Sequence, residues 1–478
     1  MKPYKILIFI LSSFFLLAVL GFVFPSEGLK VGSVHLRFPS INEIVAVDDE
    51  VFLDVDKNIH EMQSKSDMQD VQTTIDSLRY YKNYVRSDVT RLHFPNANYK
   101  FFDRLFAIME LAKKGKPVHI MHYGDSQIEM DRISSIFRQR LQEEFGGIGA
   151  GIVPPIQTIP TFTISQSYSG DLQRFVVYGD TSQPRASHRR YGLLATFAQV
   201  YSNATISVGA RSSRNAQEKA KSFQRLSVIV GNNQPNFTVV CRGQTKQIKQ
   251  AKKGITLLTF DFAEPVSRTT ITLNGMAEVY GISLSGKNGI SVSNVPMRGS
   301  SGTIFTRIDS TTLSQSYQTM NVALIIMQFG GNMMPQIKGE KAINNYMKNI
   351  GRQIQYLKRV NPHAEILFVG PSDMAKRIDG KLQTYPYLSQ LNEALKNTVL
   401  ANNAAYWDMF NVMGGENSMT QWVKHSPPWA GPDHIHFTEA GANQISIVLA
   451  NTFLMHYNFY KLRKNQNPAL IEKFMQLD

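Results

Sequence analysis

Cysteine is almost absent from this sequence, since Cys241 is the only one among 478 residues. An intramolecular disulfide is therefore excluded, and the cysteine spacing of a structural zinc site does not occur. The 11 histidines are scattered apart from two close pairs, so we predict neither a metal nor any other cofactor. Because 43% of the residues are hydrophobic, a chain of this length can bury large cores without covalent staples.

Acidic residues are also few. The sequence has 37 aspartates and glutamates but 51 lysines and arginines, which gives a net charge of +14. Such an excess raises the question of nucleic-acid binding. The basic residues are dispersed, however, and no basic run interleaved with aromatic residues occurs. We therefore expect no nucleic-acid partner. In an exported protein this charge favours anionic envelope polymers or lipid headgroups.

The longest uncharged apolar run lies at the N-terminus, over residues 6–24, and follows Lys2 and Lys5. Nineteen such residues are just enough to span the hydrocarbon core of a bilayer, and the preceding lysines keep the start of the span in the cytoplasm. No clear small-residue cleavage site follows. We predict an inner-membrane signal anchor with the rest of the chain facing the periplasm. A cleaved signal peptide, giving a periplasmic or secreted protein, is the alternative.

A serine, in the tripeptide Gly124-Asp125-Ser126, lies between a predicted strand at 117–121 and a helical pattern of apolar residues over 128–141. This arrangement predicts a serine at the N-terminus of a helix. Free backbone N–H groups and the helix dipole would there favour an oxyanion. On its own the tripeptide also fits a glycine turn with a capped helix.

Near the other end of the chain, Asp433 and His436 precede a predicted helix over 445–454. Their spacing lets one loop present an imidazole together with a carboxylate that orients it, which supplies the base a serine nucleophile needs. His434 lies in the same motif and competes for the role of base. The spacing by itself leaves both histidines open.

Two further segments end strands in residues that could donate to an oxyanion. Asn332 follows a nearly continuous apolar run over 321–329, which is typical of a buried parallel strand. Gly299 follows a short predicted strand at 289–293, and a glycine can offer an unobstructed backbone N–H. In isolation both are ordinary turn residues.

The order of these four segments resembles the four blocks of the SGNH (GDSL-type) hydrolase family. The resemblance implies a three-layer, flavodoxin-like α/β fold and assigns His436, in preference to His434, as the base. Met333 stands where the family usually has an acid. The Gly-x-Ser-x-Gly elbow of α/β-hydrolases is absent around the serine. The implied site consists of Ser126 as nucleophile, Ser126, Gly299 and Asn332 as oxyanion donors, and Asp433 and His436 as the rest of the triad.

The region 155–285 has a different sequence pattern, in which short strand-like runs are separated by Gly, Asn and Pro turns. This pattern predicts an inserted β-sandwich. SGNH peptidoglycan O-acetylesterases carry a sandwich at this point, so the resemblance implies a carbohydrate-binding module. A structural lid without a ligand is the alternative. The predicted strands are 162–165, 193–201, 204–208, 223–230, 237–241, 255–260 and 269–273. The predicted domains are a membrane anchor (1–28), a linker or helical stalk (29–95), the hydrolase domain in two parts (96–154 and 286–478) and the sandwich (155–285).

Two more residues are candidates for substrate binding. Asp373 follows the predicted strand 365–370 and could line the cleft, and Trp422 ends a predicted flexible loop, 413–422, from which it could stack on a sugar. Capping and packing are the alternative roles for these two side chains.

Together, these features predict that the protein is a serine esterase. We expect it to remove O-acetyl groups from an envelope polysaccharide, with peptidoglycan as the expected polymer. Two other functions stay open. The same triad could pass the acetyl group to another sugar, as an O-acetyltransferase of a cell-wall or exopolysaccharide system. The protein could also be a non-catalytic polysaccharide-binding scaffold.

Overall fold

The structure, a computed structural model, describes residues 74–211, 213 and 216–476, together with 4, 5, 12, 29–31 and 34–36. The predicted membrane segment 6–24 lies outside the described residues, apart from Ser12. Within the described part of the chain, no helix combines the length and the apolar character needed to cross a bilayer. The chain divides into two compact units, Met1–Leu53 and Asp54–Asp478.

In the first unit, β1 (Leu29–Val31) and β2 (Val34–Leu36) form a short antiparallel hairpin. The strands of the second unit are β3 (Leu92–His93), β4 (Val118–Gly124), β5 (Gly151–Val153), β6 (Ile164–Val176), β7 (Thr196–Ala210), β8 (Phe223–Gly231), β9 (Phe237–Cys241), β10 (Gln244–Ile248), β11 (Thr256–Val266), β12 (Arg268–Asn274), β13 (Ala277–Ser285), β14 (Ile290–Pro296), β15 (Val322–Gln328), β16 (Glu365–Val369), β17 (Ala375–Ile378), β18 (Lys381–Thr384) and β19 (Ala405–Trp407). Its α-helices are α1 (Thr74–Ser87), α2 (Asp103–Ala112), α3 (Ser134–Phe145), α4 (Ser310–Thr319), α5 (Glu340–Val360), α6 (Leu388–Ala401), α7 (Met409–Val412), α8 (Ser418–Lys424), α9 (Glu439–Lys464) and α10 (Pro468–Gln476).

A six-stranded sheet of order β14-β4-β15-β16-β19-β3 forms the centre of the second unit. All neighbours are parallel except β3, which pairs antiparallel with β19 at one edge. Every residue of β4 and β15 is buried, as expected for parallel strands covered on both faces. The carboxyl ends of these strands therefore meet at one edge of the sheet, where open α/β folds place their sites.

Helices cover both faces of this sheet. On one face, Met121 of β4 and Ile325 of β15 share a core with side chains of α4, α5 and α6. On the other face, the rings of Phe137 in α3 and Phe453 in α9 lie 5.7 Å apart, and α3 packs on β14. The alternation of side chains along β4 thus serves two cores, which gives the three-layer α/β architecture expected from the sequence.

Part of the predicted linker 29–95 is structured. Leu78 and Tyr84 of α1 are buried, and Tyr81 stacks on Phe459 of α9 at a ring distance of 5.5 Å. The strand β3 then pairs with β19 at the edge of the central sheet. Residues 74–95 are therefore part of the folded second unit rather than a solvated spacer.

The inserted strands β5 to β13 form a nine-stranded sheet. Its long strand β7 pairs with β6 along its whole length, and on its other edge it pairs with β13 over 198–200 and with β12 over 203–209. The two halves of β7 therefore have different neighbours on this edge. The runs 193–201 and 204–208, predicted as two strands, are one strand, β7, whose ladder with β6 shifts register at the exposed residues 201–203 and resumes beyond them.

Side chains from several strands of the insert, such as Val228 of β8 and Ile271 of β12, meet in one apolar core. Other residues of the insert, including Leu194 and Tyr280, belong to the same core as Met121 of the central sheet. The insert and the central sheet are accordingly found in one compact unit. The predicted division into domains stays a prediction.

A buried ion pair joins the insert to the central sheet. Asp131 accepts hydrogen bonds from both terminal nitrogens of Arg138, at 2.7 and 2.9 Å, and both side chains are almost fully buried. The hydroxyl of Thr163, at the start of the insert, donates to the same carboxylate at 2.5 Å. Arg138 Nε donates to the carbonyl of Val292 in β14 at 2.7 Å. The Asp131 carboxylate therefore contacts α3 and the start of the insert, and its partner Arg138 contacts β14.

We predict that Asp131→Ala lowers the free energy of unfolding by about 3–5 kcal/mol, because it leaves the guanidinium of Arg138 buried without its counter-ion. A urea titration measures this value. Asp261→Ala is the matched control, since its pair with Arg225 is largely solvent-accessible and should contribute about 1 kcal/mol or less. Equal losses in the two variants would contradict the interpretation.

Candidate active site

The nucleophile segment begins where β4 ends. Glycine at position 124 leaves room for Ile128 as the chain turns back, because a Cβ there would lie 2.9 Å from Cδ1 of Ile128 and would displace that side chain. The Asp125 side chain accepts a hydrogen bond from the N–H of Gln127 at 2.9 Å. Ser126 then opens a 3₁₀ segment, Ser126–Asp131. The serine is thereby held at the carboxyl edge of the central sheet.

The helix predicted over 128–141 starts later than expected. The 3₁₀ segment is kinked at Glu129 and Met130, Asp131 has a positive φ of 67°, and the α-helix begins at Ser134. The carboxylates of Glu129 and Asp131 are drawn to arginine partners, and this pairing accompanies the irregular turn. Ser126 is therefore at the N-terminus of a 3₁₀ helix, and the α-helix predicted from residue 128 begins only at Ser134.

The three residues of the predicted triad lie within hydrogen-bonding distance in series. Ser126 Oγ is 2.8 Å from His436 Nε2, although the two residues are 310 positions apart. His436 Nδ1 is 2.7 Å from Asp433 Oδ2. The other oxygen of Asp433 accepts from the backbone N–H groups of Ile435 and His436, at 3.0 and 3.1 Å. This is the geometry in which a carboxylate fixes an imidazole with its free nitrogen facing a hydroxyl.

The pKa of Asp433 lies below its ordinary value. Partial burial raises it, but the hydrogen bonds from the side chain and the N–H of His436 and from the N–H of Ile435 outweigh that effect. The carboxylate is therefore ionised at neutral pH, as a partner of an imidazolium must be.

His434, the competing histidine, is turned away from the serine. Its backbone adopts a positive φ of 54°, its N–H donates to the carbonyl of Gly431, and its carbonyl accepts from the N–H of Ala375. Its ring Nδ1 is buried without a hydrogen-bond partner. Of the two histidines in this loop, His436 is the one that reaches Ser126.

The two expected oxyanion donors line the same cleft as the serine. Gly299 has a φ of 73°, and a Cβ built on it would meet no atom within 4 Å, so its backbone faces open space. The Nδ2 atom of Asn332 donates to Oδ2 of Asp125 and to the carbonyl of Ser300, both at 3.1 Å. Both hydrogens of the Asn332 amide thus have acceptors.

Asp125, next to the nucleophile, is a buried carboxyl group. Burial raises its pKa from 3.8 to about 6, against the lowering effect of the Gln127 N–H, the nearby His436 and the Asn332 amide. It binds the amide that is expected to face the oxyanion. Its protonation therefore bears directly on how firmly Asn332 is held.

The serine and histidine open into a cleft of about 450 Å³. Glu129, almost fully buried, makes two hydrogen bonds with the exposed guanidinium of Arg298, at 2.7 and 2.6 Å, on the rim of this cleft. Other lining residues are Gln127, Arg132, Phe329, Pro335, Pro371, Met374, Tyr385 and Ile435. No group of three His, Cys, Asp or Glu side chains suited to a metal ion occurs among the described residues.

Asp373 is not a substrate-binding residue, because it is fully buried. Its carboxylate accepts hydrogen bonds from Thr384 Oγ1 and from the N–H of Met419, both at 2.8 Å, and from Ser418 Oγ at 3.4 Å. It therefore joins the β17–β18 hairpin to α8. Burial raises its pKa to about 6.

Trp422 is likewise fully buried, so the expectation that it stacks on a sugar is wrong. Its Nε1 donates to the carbonyl of Met413 at 3.1 Å, and its ring packs on Trp429 and Phe437, each at 5.2 Å. The predicted flexible loop 413–422 ends in the helix α8, because its apolar side chains turn inward.

The sequence reasoning missed Gln127, Arg132, Glu129 and Arg298, which line the cleft. Two of them adjoin motif residues, since Gln127 follows Ser126 and Arg298 precedes Gly299. That adjacency is the signal that could have found them. No local pattern marks Arg132, which donates to the carbonyls of Ser126 and Glu129 nearby and to that of the distant Phe437.

No family model and no curated protein matches this sequence. Among solved structures, a peptidoglycan O-acetylesterase aligns with a TM-score of 0.61 at 18% identity, over 74% of this chain and 96% of its own. A family two carbohydrate esterase from Cellvibrio japonicus aligns with a TM-score of 0.24 at 11% identity, over 62% and 99% of the two chains. The first likeness confirms the fold expected from the resemblance to SGNH-type hydrolases.

We predict that Asp125→Asn becomes more stable relative to the wild type as the pH rises from 4 to 7. The folded protein holds the Asp125 proton more tightly than the unfolded chain, so raising the pH through this range costs the wild type stability. A shift of about two pKa units corresponds to about 3 kcal/mol as an upper value. Urea titrations at pH 4, 5.5 and 7 measure the difference, and a difference that does not change with pH would contradict the raised pKa.

Proposed function

We propose that this protein is a serine esterase that removes O-acetyl groups from an envelope polysaccharide. The observation that carries the proposal is the hydrogen-bonded series Ser126–His436–Asp433 at the open cleft. The side chains of His436 and Asp433 are 39% and 49% exposed, so substrate and water can reach the imidazole. Two further groups that can donate to an oxyanion, at Gly299 and Asn332, line the same cleft.

In the proposed reaction, His436 Nε2 takes the proton of Ser126 as its Oγ attacks the acetyl carbonyl carbon. Asp433 stabilises the imidazolium that results. The N–H groups of Ser126 and Gly299 and the amide of Asn332 receive the oxyanion, each contributing a few kcal/mol when aligned. The imidazolium then protonates the leaving sugar oxygen as its bond to the acetyl carbon breaks. Water, deprotonated by His436, hydrolyses the acetyl-serine and releases acetate.

Three observations support a polymeric, anionic substrate. The cleft is open and holds about 450 Å³, which suits an acetylated sugar within a chain. The net charge of +14 favours anionic envelope polymers over neutral ones. The shared fold with a peptidoglycan O-acetylesterase makes O-acetylated peptidoglycan the first polymer to test. In this proposal the inserted sheet, packed against the central sheet, serves as the carbohydrate-binding part.

We also propose that residues 6–24 anchor the protein in the inner membrane, with the catalytic unit in the periplasm. The support is the uncharged apolar run that follows Lys2 and Lys5. The full chain should then stay in the membrane fraction after alkaline washing, whereas a chain lacking residues 1–28 should be released. Recovery of the full chain in the soluble fraction, with residues 6–24 intact, would overturn the anchor.

We predict that the purified protein releases acetate from O-acetylated peptidoglycan faster than from acetylated xylan, and that Ser126→Ala lowers kcat by about 10⁶-fold. The loss follows from removal of the nucleophile, and the same loss is expected with a small aryl acetate. Acetate release and aryl ester turnover are measured side by side.

The control for this experiment is His434→Asn, which changes the neighbouring histidine that does not contact Ser126. Asparagine tolerates the positive φ at this position, so activity should stay near that of the wild type. Unchanged turnover in Ser126→Ala would overturn the assignment of the nucleophile. Acetylated oligosaccharide formed from an added sugar acceptor would instead indicate an O-acetyltransferase, and polymer binding without turnover a scaffold.

A further inference from the structure

The side chain of Gln127, directly after the nucleophile, forms hydrogen bonds with the backbone of the two residues that flank His436 in the sequence. Its Nε2 donates to the carbonyl of Ile435 at 2.6 Å, and its Oε1 accepts from the N–H of Phe437 at 3.2 Å. A longer contact of 3.3 Å joins Nε2 to Ser372 Oγ. The amide is mostly buried, so these bonds are shielded from competing water.

Arg132 adds a second bridge between the same two segments. Its Nη2 donates to the carbonyl of Ser126 at 3.0 Å, and its Nη1 donates to the carbonyl of Phe437 at 2.8 Å. Its Nε donates to the carbonyl of Glu129 at 3.1 Å. The rigid fork of the guanidinium thus spans the nucleophile and the residue that follows the base.

The loop that carries His436 needs such external support. Its own bonds, such as Gly431 N–H to the carbonyl of His436 at 2.7 Å, shape the loop without fixing its distance from the serine. The base and its carboxylate are on the exposed side of this loop. Because a misplacement of about 1 Å can lower a rate about 100-fold, the register of Nε2 with Oγ must be set by bonds across the two segments.

We propose that Gln127 and Arg132 form a clamp that positions His436 against Ser126. The clamp rests on the proposed function, since it assigns His436 as the base. Its members are positioning residues, because they bind backbone groups on either side of the histidine and act on the reaction through it. The clamp sets kcat and leaves the binding of a small ester substrate unchanged.

Gln127→Met tests the clamp, because methionine keeps a similar length and loses the hydrogen bonds to Ile435, Phe437 and Ser372. We expect kcat for an aryl acetate to fall about 10- to 100-fold while KM stays within twofold of the wild-type value. Gln318→Met, on the exposed side of α4, is the matched control and should keep wild-type kinetics. Arg132→Lys, which keeps the charge but loses the fork, should also lower kcat with little change in KM.

A second measurement separates positioning from a general loss of structure. In a His436→Ala background, Gln127→Met should cause no further loss of the residual activity, because the histidine that the clamp holds is gone. Loss of the same factor in that background would overturn the clamp, as would wild-type kcat in Gln127→Met alone. Thermal melting identifies variants that fail to fold, and in that case Gln127→Asn, which keeps an amide too short to reach both partners, replaces Gln127→Met.

The two proposals fail in different ways in this experiment. Full activity in His436→Ala would overturn the proposed triad, and the clamp would fall with it. A strongly impaired His436→Ala together with an unimpaired Gln127→Met would overturn the clamp alone.

Discussion

The contact between Ser126 Oγ and His436 Nε2, 2.8 Å long, is the constraint on which the rest of the site depends. It joins the end of β4 to the loop before α9, two segments separated by most of the chain. Parallel β-strands make this meeting possible, because they deliver their carboxyl ends to one edge of the sheet. The oxyanion donors arrive there in the same way, after β14 and β15. The fold therefore acts as a frame that aligns loops, and side-chain bonds complete the alignment.

The inserted sheet is part of that frame rather than an appendage to it. Asp131, five residues after the serine, binds Arg138 of α3 and Thr163 at the start of the insert through one buried carboxylate. Tyr280 of the insert is buried in the same core as Met121 of β4. A change in the position of the insert would thus strain the nucleophile segment.

Much of this arrangement could be predicted from the sequence, and the exceptions have physical reasons. Ser126, Asp433 and His436 stood out because a triad needs those residue types at strand and helix boundaries. Asp373 and Trp422 are buried by contacts that no local pattern encodes, Asp373 between α8 and the β17–β18 hairpin and Trp422 against Trp429 and Phe437. The predicted helix begins only at Ser134, after a 3₁₀ segment in which Glu129 binds the distant Arg298. The spacing of apolar residues along the sequence does not report such long-range partners.

The engaged amide of Asn332 has a consequence for how the proposed reaction gains selectivity. This amide donates to Asp125 and to the carbonyl of Ser300. A neutral ester oxygen is no better an acceptor than the carbonyl of Ser300. Exchanging one for the other therefore brings the Asn332 amide no gain in hydrogen-bond energy. An oxyanion is a charged and much stronger acceptor, and it can compete for the same hydrogen. Under the proposed mechanism, Asn332 therefore stabilises the transition state more than the bound substrate, which is the difference that accelerates a reaction.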